Sequence, residues 1–156
     1  MIDFEYHAPT SLDQVFDLLD KYGDDSRVMA GGTALVIQMK QRLSQPGHVI
    51  GMRRVGSLNA IESTPEGLRI GALCTQRQIE NSELVGKELP LVADTFRKVA
   101  TPRIRNMATI GGGLVNGDPN QDPPPSLIAL GASAVMTSKS GDRVVLLEEF
   151  FIDYYE

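Results

Sequence analysis

Cysteine occurs once in this sequence, at position 74, histidine twice, at 7 and 48, and tryptophan not at all. A lone thiol forms no internal disulfide, and it cannot hold an iron–sulfur cluster, which takes about four thiolates. His7 and His48 stand far apart with no cysteine or carboxylate at metal-ligand spacing, so no metal is assigned to this chain and each reads as a surface or structural residue. Any metal or iron–sulfur redox centre is therefore expected on another chain. Basic residues are also short: 15 Lys and Arg against 20 Asp and Glu give a net charge of −5. Without a basic patch or run, binding to nucleic acid has little electrostatic support. No apolar run is long enough to span a bilayer. The opening Met1-Ile2-Asp3-Phe4-Glu5 lacks the basic and apolar regions of a signal peptide, so a cytoplasmic location is the default expectation. No Ser/His/Asp or Cys/His set suggests nucleophilic catalysis, and Cys74 reads as a small packed residue. No catalytic residue is assigned.

What is present is a globular composition, 42% hydrophobic and 22% charged over 156 residues. That length suits one domain or two small lobes sharing a cleft. Ser11 and Gln14 have the spacing of a capping box, followed by Leu12, Val15, Phe16 and Leu19 at helical intervals, with Gly23 as the stop. Residues 27–30 read as a short strand, Thr33 as the cap of a second helix carrying Leu35, Val36, Met39 and Leu43, and 48–50 as another strand. This strand–helix–strand unit is compatible with parallel pairing. After residue 55 the pattern changes. Residues 59–62 and 68–71 around a Thr64–Gly67 turn predict a hairpin, 76–86 and 91–99 predict helices, 126–130 a short helix, and 134–137 with 143–147 a second hairpin. In the helix over 91–99, Leu91, Val92, Thr95, Phe96 and Val99 are expected to face inward.

Two glycine segments carry the chemistry. In Met29-Ala30-Gly31-Gly32-Thr33-Ala34-Leu35 a strand delivers the chain to a Gly-Gly turn and a helix begins at once. Glycines admit close approach of a ligand to backbone N–H groups, and a helix start offers unpaired donors, which suits a phosphate or pyrophosphate. A tight turn holding no ligand fits the same residues. No Gly-Lys-Ser/Thr follows, so this is not a P-loop, nor is it G-x-G-x-x-G. In Thr109-Ile110-Gly111-Gly112-Gly113 three consecutive glycines interrupt an apolar run, followed by Asn116, Asp118, Asn120 and Asp122. A carboxylate there can hold ribose hydroxyls; a Gly/Asp/Pro-rich surface loop is the plain alternative. The prolines at 119 and 123–125 and the acidic spacing rule out an EF-hand loop. Two such loops together favour a dinucleotide, FAD or NAD, over a mononucleotide.

Several strings resemble one family: Phe4-Glu5-Tyr6-His7-Ala8-Pro9-Thr10-Ser11-Leu12, Ala30-Gly31-Gly32-Thr33 followed by Met39-Lys40, Ile70-Gly71-Ala72, Arg105-Asn106-Met107-Ala108-Thr109-Ile110-Gly111-Gly112, and Gly117-Asp118-Pro119 with Asp122-Pro123-Pro124. They resemble the FAD-binding medium subunit of carbon monoxide dehydrogenases, xanthine dehydrogenases and related molybdenum hydroxylases, from residue 3 to residue 155. The resemblance implies an α+β fold, the two-lobed FAD-binding domain of vanillyl-alcohol oxidase (PCMH) type. Residues 1–55 would form a small α/β lobe and 56–156 a larger lobe with antiparallel sheet. It implies that residues 29–35 wrap the FAD pyrophosphate, that Thr109, Ile110, Gly111, Gly112 and Gly113 supply a second set of backbone contacts, and that Asp122 meets the adenosine ribose. Val99 and Ala100 fall near a family flavin contact. Two positions depart from the family: Gly113 stands where Asn is usual, and Ala34 where a polar or acidic residue is usual.

The resemblance further implies an assembly in which a molybdopterin large subunit oxidises the substrate and 2Fe–2S clusters on a small subunit pass electrons to FAD, then to NAD, a quinone or oxygen. The segment Phe150 to Glu156 matches one that runs on in the family, so a C-terminally truncated flavin domain is expected. Two other readings remain open: a non-catalytic, partner-binding module without FAD, and a stand-alone flavin oxidoreductase of the same fold.

Overall fold

The computed structural model describes residues 2–153 and 155. The fold is α+β. Its first part is β1 (Glu5–His7), α1 (Leu12–Tyr22), β2 (Ser26–Met29), α2 (Leu35–Lys40) and β3 (His48–Gly51), with the strands in the order β1-β3-β2 and both pairs parallel. The strand–helix–strand unit expected around residues 27–50 is therefore present. Strand β1 was not expected: three residues hold no periodicity to read, and they extend only because β3 offers them an edge. In the central strand, Val49 and Ile50 are 1% and 0% exposed. Gly51 lies under the Tyr6 ring, where a Cβ would stand 1.9 Å from the phenol oxygen.

Ser11 caps α1, its Oγ accepting from the Gln14 N–H at 3.3 Å. The Gln14 side chain, however, accepts from the N–H of Thr10 at 2.8 Å, one residue before the position a capping box uses. Leu12, Val15, Leu18 and Leu19 pack on Ile50, Met52 and Val55, so Leu18 rather than Phe16 completes the inner face. Helix α2 is shorter than expected. Ala34, not Thr33, is its cap residue and no side chain caps it. Arg42, at φ 62°, follows its end well before Pro46-Gly47. Six residues cannot carry an apolar stripe out to Leu43, which is 76% exposed.

The second part holds β4 (Ile61–Thr64), β5 (Gly67–Ile70), α3 (Gln76–Asn81), α4 (Glu83–Glu88), α5 (Pro90–Lys98), α6 (Pro102–Arg105), α7 (Ile110–Asn116), α8 (Pro123–Ala129), β6 (Ser133–Ser138) and β7 (Gly141–Leu146). Both expected hairpins form, each antiparallel, with bounds shifted by one or two residues. They are two separate ribbons rather than one antiparallel sheet, and helices fill the space between. The single helix expected over 76–86 is broken at Ser82, whose hydroxyl accepts from the Val85 N–H and starts α4. Helix α8 begins at Pro123 instead of Ser126, since first-turn N–H groups have no helical acceptor and proline loses nothing there. Within α5, Val92, Ala93 and Phe96 are buried, while Leu91 is half exposed and Val99 leaves the helix as its cap.

The core falls into two clusters. Val15, Ile50, Met52 and Val55 form one, which also draws in Leu58 and Leu73. Cys74, Ile79, Val85, Val92, Ala93, Phe96, Leu127 and Leu147 form the other. Burial of each large side chain contributes about 1.5–3 kcal/mol. Outside both, Lys139 at the β6–β7 turn reaches α1 and donates to Asp17 and Asp20 at 2.7 and 2.6 Å. These carboxylates raise the Lys139 pKa, yet its side chain is half exposed and the contact orients more than it stabilises.

Candidate functional site

The turn after β2 and the segment before α7 meet. A Cβ on Gly31 would lie 2.0 Å from the Met107 carbonyl oxygen and 2.9 Å from the Ala108 Cα. One on Gly112 would lie 3.3 Å from the Ala30 Cβ. Two glycine segments far apart in sequence thus pack backbone to backbone. Beside this contact is a cavity of about 290 Å³, bordered by Ala30, Gly31, Arg53, Asn59, Leu73, Thr75, Gln78, Asn106, Met107 and Thr109. The size is near the lower end of cofactor pockets, about 300–1,000 Å³.

The two segments differ in what their backbones offer. Gly32, at φ 73°, turns the chain into α2 under the Met29 side chain. Val36 N–H bonds the Gly32 carbonyl at 3.0 Å, but the N–H groups of Gly32, Thr33, Ala34 and Leu35 have no acceptor among the described residues. Unpaired donors in a row after a glycine turn suit an anion. The N–H groups of the second segment are consumed inside the protein. Ile110 donates to the Cys74 carbonyl at 3.1 Å, Gly111 to Ala72 at 2.9 Å, Gly112 to the Thr109 Oγ at 3.1 Å, and Gly113 to the Thr109 carbonyl at 3.0 Å. Gly111 is glycine because a Cβ would meet the Ala72 Cβ at 2.6 Å. The three glycines are the first turn of α7, capped by Thr109.

Gly113 has lost no packing. The Gln121 amide fills the space a side chain would take, and its Nε2 donates to the Gly113 carbonyl at 3.0 Å. Asp122, the next residue, is exposed and does not border the cavity. Val99 and Ala100 form a turn in which Ala100 has φ 45°, a conformation costing about 1–2 kcal/mol for a residue with a Cβ. Arg105 holds that turn, its Nη1 donating to the Val99 carbonyl at 2.7 Å. Its Nε pairs with the buried Glu80 carboxylate, which also takes Arg77. Burial pushes the Cys74 thiol above its ordinary pKa, and its Sγ lies 3.4 Å from the Ala60 carbonyl, so it is a packed thiol.

A family model described as the FAD binding domain in molybdopterin dehydrogenase matches residues 2–156. The chain belongs to this family. It is similar to the carbon monoxide dehydrogenase medium chain of Afipia carboxidovorans, at 38% identity over 152 residues, 97% of this chain and 53% of that protein. The nicotine 6-hydroxylase medium subunit of Paenarthrobacter nicotinovorans is 36% identical over 150 residues, 96% of this chain and 53% of that one. Among solved structures, carbon monoxide dehydrogenase from Hydrogenophaga pseudoflava matches with a TM-score of 0.97 at 37% identity, over 100% of this chain and 55% of that one. The chain spans about half the length of the curated relatives it matches.

Within this FAD-binding family fold, sequence reasoning missed most of the cavity border. Arg53 sits on a 3₁₀ turn, Met52–Arg54, that carries no pattern. Thr75 and Gln78 had a readable signal. They are the T-x-x-Q of a complete capping box at the start of α3, with Gln78 Oε1 accepting from the Thr75 N–H at 2.8 Å. Asn59 and Asn106 lie in irregular segments and reach the border only through the tertiary fold.

Proposed function

We propose that this chain holds FAD as the flavin-binding part of a molybdenum hydroxylase of carbon monoxide dehydrogenase type. The observation that carries this is the row of N–H groups at Gly32, Thr33, Ala34 and Leu35 without an acceptor among the described residues, directly after Gly31, which borders the cavity together with Arg53. Donors and a guanidinium together match a pyrophosphate. In this reading Met29 to Leu35 wrap the pyrophosphate. Thr109 to Gly113 act chiefly by close approach, with Thr109 at the cavity border. Asp122 meets the adenosine ribose from outside that cavity, its carboxylate free to accept hydroxyl hydrogens.

When bound, FAD would supply the redox chemistry between an iron–sulfur small subunit, paired with a molybdopterin large subunit, and an external acceptor. The protein's own work is to bind and orient. Gly31 keeps the two segments in contact, Arg105 holds the Val99–Ala100 turn, and no side chain here acts as acid or base. Two lobes, divided near residue 55, fit the two core clusters, with the cavity where Leu73 of one cluster adjoins Cys74 of the other. The test is titration of the purified chain with FAD. Quenched flavin fluorescence and a shifted, bound flavin spectrum are expected, with Gly32→Trp abolishing both. A chain that leaves flavin fluorescence free would overturn the reading and favour a partner-binding module without FAD.

A further inference from the structure

The chain's two histidines, separate in sequence, are neighbours in the fold. Parallel pairing of β1 with β3 sets Glu5 opposite His48 and His7 opposite Ile50. Glu5 and His7 are two apart on β1 and so point to one face of the sheet. The His7 Nε2 and the His48 Nδ1 are 3.1 Å apart. The Glu5 carboxylate oxygens lie 3.8 Å from the first and 3.6 Å from the second. All three ligand atoms fall within 4.8 Å of one another. Sequence spacing hid this group, because the register and not the chain brings it together.

We propose that Glu5, His7 and His48 form a binding site for a divalent transition-metal ion of the zinc class. Two nitrogens bonded to one tetrahedral zinc at 2.0–2.1 Å stand roughly 3.3 Å apart, close to the spacing seen here. The ion takes the place of the proton shared between the rings, and each ring turns so that both lone pairs converge. Glu5 closes the site at small cost, since its side chain is 64% exposed and free to move by a few tenths of an ångström. The imidazoles are largely shielded from solvent. Their side chains are 13% and 20% exposed, and Tyr22 stacks on His48 with ring centroids 3.6 Å apart. Asp25 lies on the far side of His48. Its Oδ2 lies 3.9 Å from the His48 Nε2, and its Oδ1 is anchored by the Gly47 N–H at 2.9 Å. At that distance the carboxylate makes no hydrogen bond to the ring and adds only its negative charge near a bound cation. Two imidazoles and one carboxylate select zinc, nickel or copper over magnesium or calcium, which take oxygen donors.

The experiment is calorimetric titration of the tag-free, chelator-treated chain with zinc, with cobalt absorption as a second probe of coordination. One zinc per chain is expected. His7→Gln and His48→Gln should each weaken binding by about tenfold or more, and Glu5→Gln by less. Zinc should raise the thermal midpoint of the wild type more than that of His48→Gln at the same zinc concentration, because the ion binds the folded register alone. Glu5→Gln alters an exposed side chain, so it tests the site even where a histidine variant fails to fold. Absence of saturable binding in the wild type, or affinity unchanged in His48→Gln and Glu5→Gln, would overturn the proposal.

Discussion

The two glycine segments look alike in sequence and do opposite work. In the first, Gly31 and Gly32 lead to donors at 32–35 that meet no acceptor among the described residues. In the second, Gly111 to Gly113 spend their donors on Ala72 and Thr109, while their missing side chains let α7 pack against Ala72 and Ala30. A glycine run therefore carries two different signals, access for a ligand and closeness of backbone to backbone. Only the destination of each N–H separates them.

Variants can break that comparison. The largest expected loss is at Arg105, which lies just ahead of the second segment in the chain. Arg105→Met leaves the Glu80 carboxylate buried without this partner and frees the Val99–Ala100 turn; about 3–5 kcal/mol of stability should go, read by urea unfolding. Gly31→Ala comes next. Its Cβ collides with a backbone carbonyl that cannot rotate away, so about 3 kcal/mol should be lost together with flavin binding. Gly111→Ala should cost about 1–3 kcal/mol by the same collision with Ala72, with flavin affinity reduced far less than in Gly31→Ala. Equal flavin losses in the two variants would erase the distinction drawn here.

Gly32→Ala should cost about 1–2 kcal/mol through its positive φ, and it should weaken flavin out of proportion to that. The smallest effect concerns pH. Burial holds the Cys74 thiol above its ordinary value of 9.0, so the folded chain keeps a proton that the unfolded chain loses. This contribution is full below pH 9 and is lost as pH rises from there toward the folded value. Cys74→Ala should therefore show a shallower alkaline loss of stability than the wild type in denaturation curves taken at successive pH values.

Much of the fold was legible in the residues. Ser11, Gly23 and the hairpin turns mark ends by local chemistry, and α5 shows its buried face in Val92 and Phe96. The illegible parts are short. Strand β1, helix α6 and the break at Ser82 span too few residues for a period, and each depends on a neighbour supplied by the fold. The site divides in the same way. The glycine segments could be named from sequence. Arg53, Asn59 and Asn106 could not, because irregular backbone places them.

By itself the sequence determined an acidic α+β chain with two glycine segments and family membership, because glycine, caps and turn residues act through their own backbone. The tertiary structure decided which glycine donors stay open, that Gly31 touches Met107, and that His7 lies beside His48. Those are contacts between residues remote along the chain. They follow from strand register and close backbone approach, which no local pattern of residues encodes.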